Sequence, residues 1–251
     1  MNFSIILWNI RGLGKAKKAR AVRRLMTLKK PLMLFLQETK LSYFNLSILR
    51  KIGCKNNFDS LVSTSSGSSC GLITIWDLSS FEVSYNHIDR RFITIIGKFK
   101  VNQFECGLIN FYGPSIEEEK GHFFVDLLHF MSNFDVSWGI GGDFNAHRCS
   151  EEKHGVSLNL PTMDMLRNFI QAACLVDLPL KGGSFTWSNN RDPRTFVRLD
   201  QFLVADDFLT VFPDLNQMLL SKSIYDHNAI LLENVGYCNT LNFCMLKKMM
   251  K

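Results

Sequence analysis

"FITIIGKFKVNQFECGLINFYGPSIEEEKGHFFVDLLHFM", residues 92–131, decides the fold of this chain. Two apolar, β-branched and aromatic runs, 92–99 and 104–112, are joined by "KVNQ" and read as a β-hairpin. Then the period changes. Phe123, Leu127 and Phe130 recur at helical spacing, and Ser115 with Glu118 three residues later has the pattern of a capping box. A hairpin running directly into an amphipathic helix excludes an all-helical and an all-β chain.

Outward from this stretch the same alternation continues. Strands are predicted at 3–8, 32–37, 71–76, 136–142, 184–188, 198–205 and 229–233. The first two are continuous apolar runs, as expected of strands covered on both faces. A helix is predicted over the basic run 11–30, with Val22, Leu25 and Met26 turned inward, and another over 162–173. There are too many strands for one sheet between two helix layers, so two packed sheets flanked by helices fit better. No repeat and no Pro/Gly-rich linker divides the chain. The prediction is a single domain over 1–233, an α/β (α+β) fold, followed by a poorly ordered tail over 234–251.

The bulk numbers narrow the class. The chain has 251 residues, 46% of them hydrophobic, and a mean hydropathy near zero, which suits a folded globular protein and argues against disorder. Its apolar runs are far shorter than the 18 or so residues of a membrane span, and the N-terminus lacks the basic segment and cleavage site of a signal peptide. The seven cysteines form no C-x-x-C pair, so reduced thiols inside the cell are expected. The net charge is +6, and residues 11–30 carry nine Lys or Arg and no acid. That run reads either as a solvated helix face or as a phosphate-attracting patch and nuclear address.

Polar residues cluster at strand ends. One run ends on Asn9, the next on Glu38, a third on Tyr112, a fourth on Asp143 with Asn145 two residues on. Side by side, those strands would present two carboxylates, two amides and a phenol to one crevice. Hard oxygen ligands without a Cys/His set favour Mg²⁺, with Mn²⁺ as the alternative, over Zn²⁺. The chemistry they suit is phosphate-ester hydrolysis, with the metal polarising the phosphoryl oxygen. The pair Asp226–His227 adds a titratable group. A useful histidine needs an orienting carboxylate. Adjacent residues of a strand face opposite ways, so Asp200 in "RLDQFLV" is the better partner for His227, and Asp226 is left for metal.

Taken together, "LWNIRGLG" (7–14), "FLQETK" (35–40), "GLITIW" (71–76), "NFYGP" (110–114), "GGDFNA" (141–146), "GGSFTWSNNR" (182–191), "RLDQFLV" (198–204) and "YDHNAI" (225–230) resemble the endonuclease/exonuclease/phosphatase superfamily. The nearest resemblance is to the apurinic-endonuclease-like domain of non-LTR (LINE-type) retrotransposons of plant type. The resemblance implies a four-layer α/β/β/α sandwich of two mixed sheets flanked by helices, and divalent-metal-dependent nicking of DNA by a monomeric, nuclear protein with no membrane partner. It implies Glu38, Asn9 and Asp226 on the metal side. Tyr112 would contact the phosphate or help the leaving group, Asp143 and Asn145 would position and activate the water, and Asp200 would orient His227 against the scissile phosphate. Arg11 and Trp187 would lie near the DNA. Which group is the general base stays open. Two positions depart from the pattern: Tyr225 stands where a small residue is usual, and Ala229 where Pro is usual. With the unfamiliar tail and no following polymerase, they make a decayed relic that only binds nucleic acid the competing expectation, and a fragment or genomic remnant the expected origin. A phosphomonoesterase on a small substrate is the third reading.

Overall fold

The structure, a computed structural model, describes residues 3–54, 57–65, 71–155, 160–220 and 226–234. In chain order the larger elements are β1 (Ser4–Asn9), α1 (Ala16–Lys29), β2 (Met33–Gln37), α2 (Leu46–Lys51), β3 (Phe58–Ser63), β4 (Leu72–Asp77), β5 (Phe81–Ile88), β6 (Phe92–Phe99) and β7 (Glu105–Tyr112). They continue with α3 (Glu117–Ser132), β8 (Ser137–Asp143), β9 (Lys153–His154), α4 (Leu160–Ala172), β10 (Leu175–Asp177), β11 (Leu180–Lys181), β12 (Trp187–Ser188) and β13 (Phe196–Val197). The last are β14 (Asp200–Ala205), α5 (Asp206–Val211), β15 (Leu215–Leu219) and β16 (Ile230–Asn234).

One sheet runs in the order β11-β15-β16-β1-β2-β4-β3, the other β10-β14-β8-β7-β6-β5. Both are mixed: β1 pairs with β2 in parallel but with β16 antiparallel, and β7 pairs with β8 in parallel but with β6 antiparallel. Three apolar clusters fill the three gaps between layers. Phe3, Phe35, Phe99, Leu108 and Phe202 lie between the sheets. Ile6, Leu34, Val22 and Leu49 join the first sheet to α1 and α2. Ile109, Ile140, Leu127 and Phe169 join the second to α3 and α4. The result is the four-layer α/β/β/α sandwich, and β1 and β2 are buried throughout, as their unbroken apolar runs require.

The expected hairpin is β6–β7, in register from Phe92↔Phe111 to Lys98↔Glu105. Glycine lets β8 lie at the centre of its sheet. A Cβ at Gly142 would stand 2.4 Å from the Phe111 carbonyl oxygen, and one at Gly141 2.5 Å from the Phe202 ring.

Two local expectations are corrected. The helix after the hairpin starts at Glu117 with Ile116 as its N-cap and no side-chain cap, so Ser115 and Glu118 do not form a capping box. Three glutamates in the first turn favour the helix dipole instead. The strand expected at 184–188 shrinks to Trp187–Ser188, part of a small third sheet β12-β13-β9. The expected tail, from 235 on, and Tyr225 lie outside the described residues. Among the described residues, no helix is long and apolar enough to cross a membrane.

Candidate active site

The sheet registers explain why polar groups at strand ends converge. Tyr112 of β7 stands opposite Asp143 of β8, and Asp143 opposite Asp200 of β14, so three site residues form a row across the second sheet. From the first sheet come Asn9, the last residue of β1, and Glu38, the residue after β2. The Asn9 amide stitches the two sheets together. Its Nδ2 donates to Glu38 Oε1 at 2.9 Å and to Asp143 Oδ2 at 2.8 Å. Both hydrogens of one buried amide are thereby spent on two buried carboxylates.

The backbone around these groups is strained. Arg11, Glu38 and Asn145 all have positive φ, at 42°, 47° and 49°, a conformation that costs a non-glycine residue on the order of 1–3 kcal/mol and clusters at functional sites. Local bonds hold it. Gly12 N donates to Glu38 O at 2.6 Å and Thr39 N to Gly71 O at 2.9 Å. Asn145 N donates to Asp143 Oδ1 at 2.9 Å, and Asn145 Nδ2 to Gly113 O at 2.8 Å.

His227 is fully buried. Its Nδ1 lies 2.9 Å from Asp200 Oδ2, which leaves Nε2 turned toward Asp143, 3.8 Å from Oδ2. The histidine backbone is fixed on both sides: Trp8 Nε1 donates to His227 O at 3.2 Å, and the His227 and Trp187 backbones form a β-bridge. Glu38, Asp143 and His227 each bring one ligand atom within 4.8 Å of the others.

Burial and neighbouring charge set the protonation states. Burial alone would raise Glu38, but the Asn9 hydrogen bond and the Arg11 and Lys40 cations hold it below the ordinary range. Burial, then the Asp200 charge, pushes Asp143 up to about 6. Burial opposes a charge on His227, but Asp200 and Asp143 outweigh it and carry the imidazole up to about 9. Burial, then the nearby Glu38 and Asp143 charges, raise the Tyr112 phenol, so it keeps its proton at neutral pH.

Asp226 stands apart from this buried group. It is partly exposed and reaches Glu38 only through Arg11, whose Nη1 bonds Asp226 and whose Nε lies 3.2 Å from Glu38 Oε1. Trp187 stacks obliquely near His227, ring centroids 6.4 Å apart, beside a cavity of about 580 Å³ that Asp226, Asn228, Phe185 and Arg194 also line. Ala229 is buried against the core under α1.

Two contributors were not singled out from sequence. Lys40 Nζ lies 3.7 Å from Glu38 Oε2. Thr186 is fully buried, and its Oγ1 accepts the backbone N–H groups of Leu199 and Asp200, both at 3.0 Å, while its carbonyl accepts Asn228 N at 2.8 Å. It therefore ties the Asp200 strand to the His227 segment. The signal was its place before Trp187 in "SFTWS", but a threonine just ahead of a short strand has no sequence mark of such a role.

The donor set suits a hard divalent cation: two buried carboxylates and a carboxamide, with no sulfur ligand among them. The Endonuclease/Exonuclease/phosphatase family model matches residues 6–220. No curated protein sequence matches the chain. Among solved structures, an AP endonuclease from Leishmania major is similar at 16% identity and TM-score 0.74, over 93% of this chain and 87% of that one. A 3′ phosphatase from Neisseria bound to product DNA hairpin is similar at 17% identity and TM-score 0.74, over 93% and 100%. The endonuclease domain of a telomere-specific non-LTR retrotransposon is similar at 16% identity and TM-score 0.66, over 94% and 99%.

Proposed function

Because the chain belongs to the endonuclease/exonuclease/phosphatase family, whose members hydrolyse phosphodiesters or phosphate esters, we propose that it is a divalent-metal-dependent endonuclease that nicks DNA, of the plant LINE-type retrotransposon kind. The observation that carries this is the buried meeting of two charge systems, Glu38–Asn9–Asp143 from both sheets and the Asp200–His227 pair. A nuclear, monomeric enzyme with DNA as partner is the setting this reading implies. The order of eight motifs and the likeness to a retrotransposon endonuclease domain support that finer identity.

Each residue then has a task. Glu38 and Asn9, with Asp143 beside them and Asp226 at the rim, would hold Mg²⁺ or Mn²⁺. When bound, the ion supplies charge neutralisation at the phosphoryl and leaving oxygens. His227, charged near neutral pH and held by Asp200, donates from Nε2 to a phosphate oxygen. Asp143, raised toward neutrality, takes the proton of the attacking water, which Asn145 orients. Tyr112 keeps its proton and donates it in a hydrogen bond to phosphate. Arg11 and Trp187 lie along the DNA at the rim.

The test is nicking of supercoiled plasmid in Mg²⁺, beside EDTA and the variants His227→Ala and Tyr225→Ser. Metal-dependent nicking lost in His227→Ala is expected. Folded protein that leaves the plasmid intact, with either residue at 225, overturns the proposal.

A further inference from the structure

The basic run of the sequence lies mostly outside the site just described. Residues 11–58 hold 13 of the chain's 29 Lys and Arg but only one of its 23 Asp and Glu, a formal +12 against −6 for all other residues. That single acid, Glu38, is buried in the site. The charge is therefore concentrated on one flank of the sandwich rather than spread over it.

The packing fixes where that flank is. Val22 and Met26 of α1 and Leu49 of α2 are buried together against the first sheet, so both helices turn their other faces outward. Lys15, Lys17, Arg20, Arg24, Arg50 and Lys51 are exposed there. The face is continuous with the crevice. Arg11 leads from the site into α1, Lys18 Nζ donates to the Ile10 carbonyl, and Lys40 stands between Glu38 and α2. At its other end the face is bounded by Asp77, which lines a cavity with Lys30 and Thr27.

Like charges packed along two neighbouring helices repel one another, and none of these six has an acidic partner among the ion pairs of the described residues. Such a surface gains most from a regular polyanion. Helix α1, at ~1.5 Å per residue, is roughly 21 Å long, the rise of about six base pairs of duplex.

We infer that the outer face of α1 and α2 is a second DNA contact surface, which holds the phosphate backbone of duplex lying beyond the crevice. The inference rests on the proposed function only in taking DNA as the partner. Its test reads binding without cleavage, so the two fail separately.

The measurement is equilibrium binding of a fluorescent 30-base-pair duplex in EDTA across a salt series. The triple variant Arg20→Gln/Arg24→Gln/Arg50→Gln is compared with a control of equal charge change, Lys98→Gln/Lys100→Gln/Arg167→Gln. Three lost phosphate contacts should flatten the salt dependence by about 2–3 in slope and weaken binding on the order of 10²-fold at ~0.1 M salt. The control should stay near wild type. Equal losses in both variants would mean net charge alone and overturn the inference, as would no loss in either. Binding to phosphatidylserine vesicles that falls in the α1/α2 variant while DNA binding is unchanged would assign the face to a membrane and also overturn it. Acetylation of the wild type adds a reading free of any folding change: the duplex should protect Lys17 and Lys51, and leave Lys98 and Lys100 reactive. Equal reactivity of all four with and without DNA overturns the inference as well.

Discussion

Replacing Asn9 by Asp tests the amide that joins the two sheets. In the native chain its Nδ2 lies 2.9 and 2.8 Å from the carboxylate oxygens of Glu38 and Asp143, donating to both. A third carboxylate at those distances would repel each by about 6 kcal/mol at an effective dielectric constant near 20. That exceeds the cost of taking up a proton, so one of the three carboxyls will be protonated. Holding that proton against an unfolded pKa near 3.9 costs ~1.4 kcal/mol for every pH unit above it. The penalty is thus about 3–4 kcal/mol at pH 6.5 and about 6 kcal/mol at pH 8.5, a large fraction of a typical domain's stability. The sign follows from linkage: the folded variant binds a proton that the unfolded chain releases, so stability falls as pH rises. Above the pKa of about 6 at Asp143 that carboxyl holds no proton in the native chain, and the His227 proton is common to native and variant protein, so the difference isolates the new group. The assay is urea unfolding followed by tryptophan emission in EDTA, variant against wild type at each pH. Added Mg²⁺ should recover much of the loss. A difference below about 1 kcal/mol that does not change with pH would refute the bridging role of Asn9 and the placement of the two carboxylates around it.

Asp200→Asn should leave the fold intact and slow nicking by about 10³–10⁴-fold, through loss of the carboxylate that fixes His227; a plasmid assay showing less than a tenfold effect would count against the dyad. Thr186→Val leaves two buried N–H groups without an acceptor and should cost about 2–4 kcal/mol in denaturant unfolding, whereas Thr186→Ser should cost under about 1 kcal/mol. Without metal, the Asp200–His227 pair should stabilise the protein fully below pH ~6.5 and lose that contribution as pH rises toward about 9, on the order of 3 kcal/mol in all. Melting scans of wild type against His227→Ala should converge at the alkaline end, and a difference constant with pH would contradict the raised histidine.

Much of this architecture is legible in the sequence because the decisive strands are buried on both faces. Runs such as 3–8, 32–37 and 104–112 have no other compact use than the middle of a sandwich, and the polar residues at their ends, Asn9, Glu38 and Tyr112, then fall at one rim. Legibility fails where local pattern is weak. The edge strand β5, "FEVSYNHI", is largely exposed and polar, as an edge needs to be to resist pairing with another chain, so it carries no apolar run. Strand β15, "LNQML", hides Gln217, fully buried because its amide binds the Leu178 carbonyl and Asp177. At the site, the residue types were visible but not the links between them. Nothing in "WNIRG" says that Asn9 faces two carboxylates, and nothing in "YDHNA" says that Asp226 answers to Arg11 while His227 answers to Asp200. Such facts belong to the sheet register and appear only when two strands far apart in sequence are laid side by side.

The pairing of β1 with β16 has a consequence for how the protein is made. Ser4 meets Glu233 across nearly the whole described chain, and closing so long a loop costs on the order of 5 kcal/mol before any contact repays it. Strand β1 leaves the ribosome early with its apolar face unmatched on one side, and Asn9 and Glu38 wait beside it. Only when β16 arrives, bringing His227 just ahead of it, can the first sheet and the catalytic crevice close in one step. A nascent chain halted before β16 would hold most of its β-structure without the strand that closes the first sheet beside His227, so the candidate site is completed only when synthesis has passed residue 234.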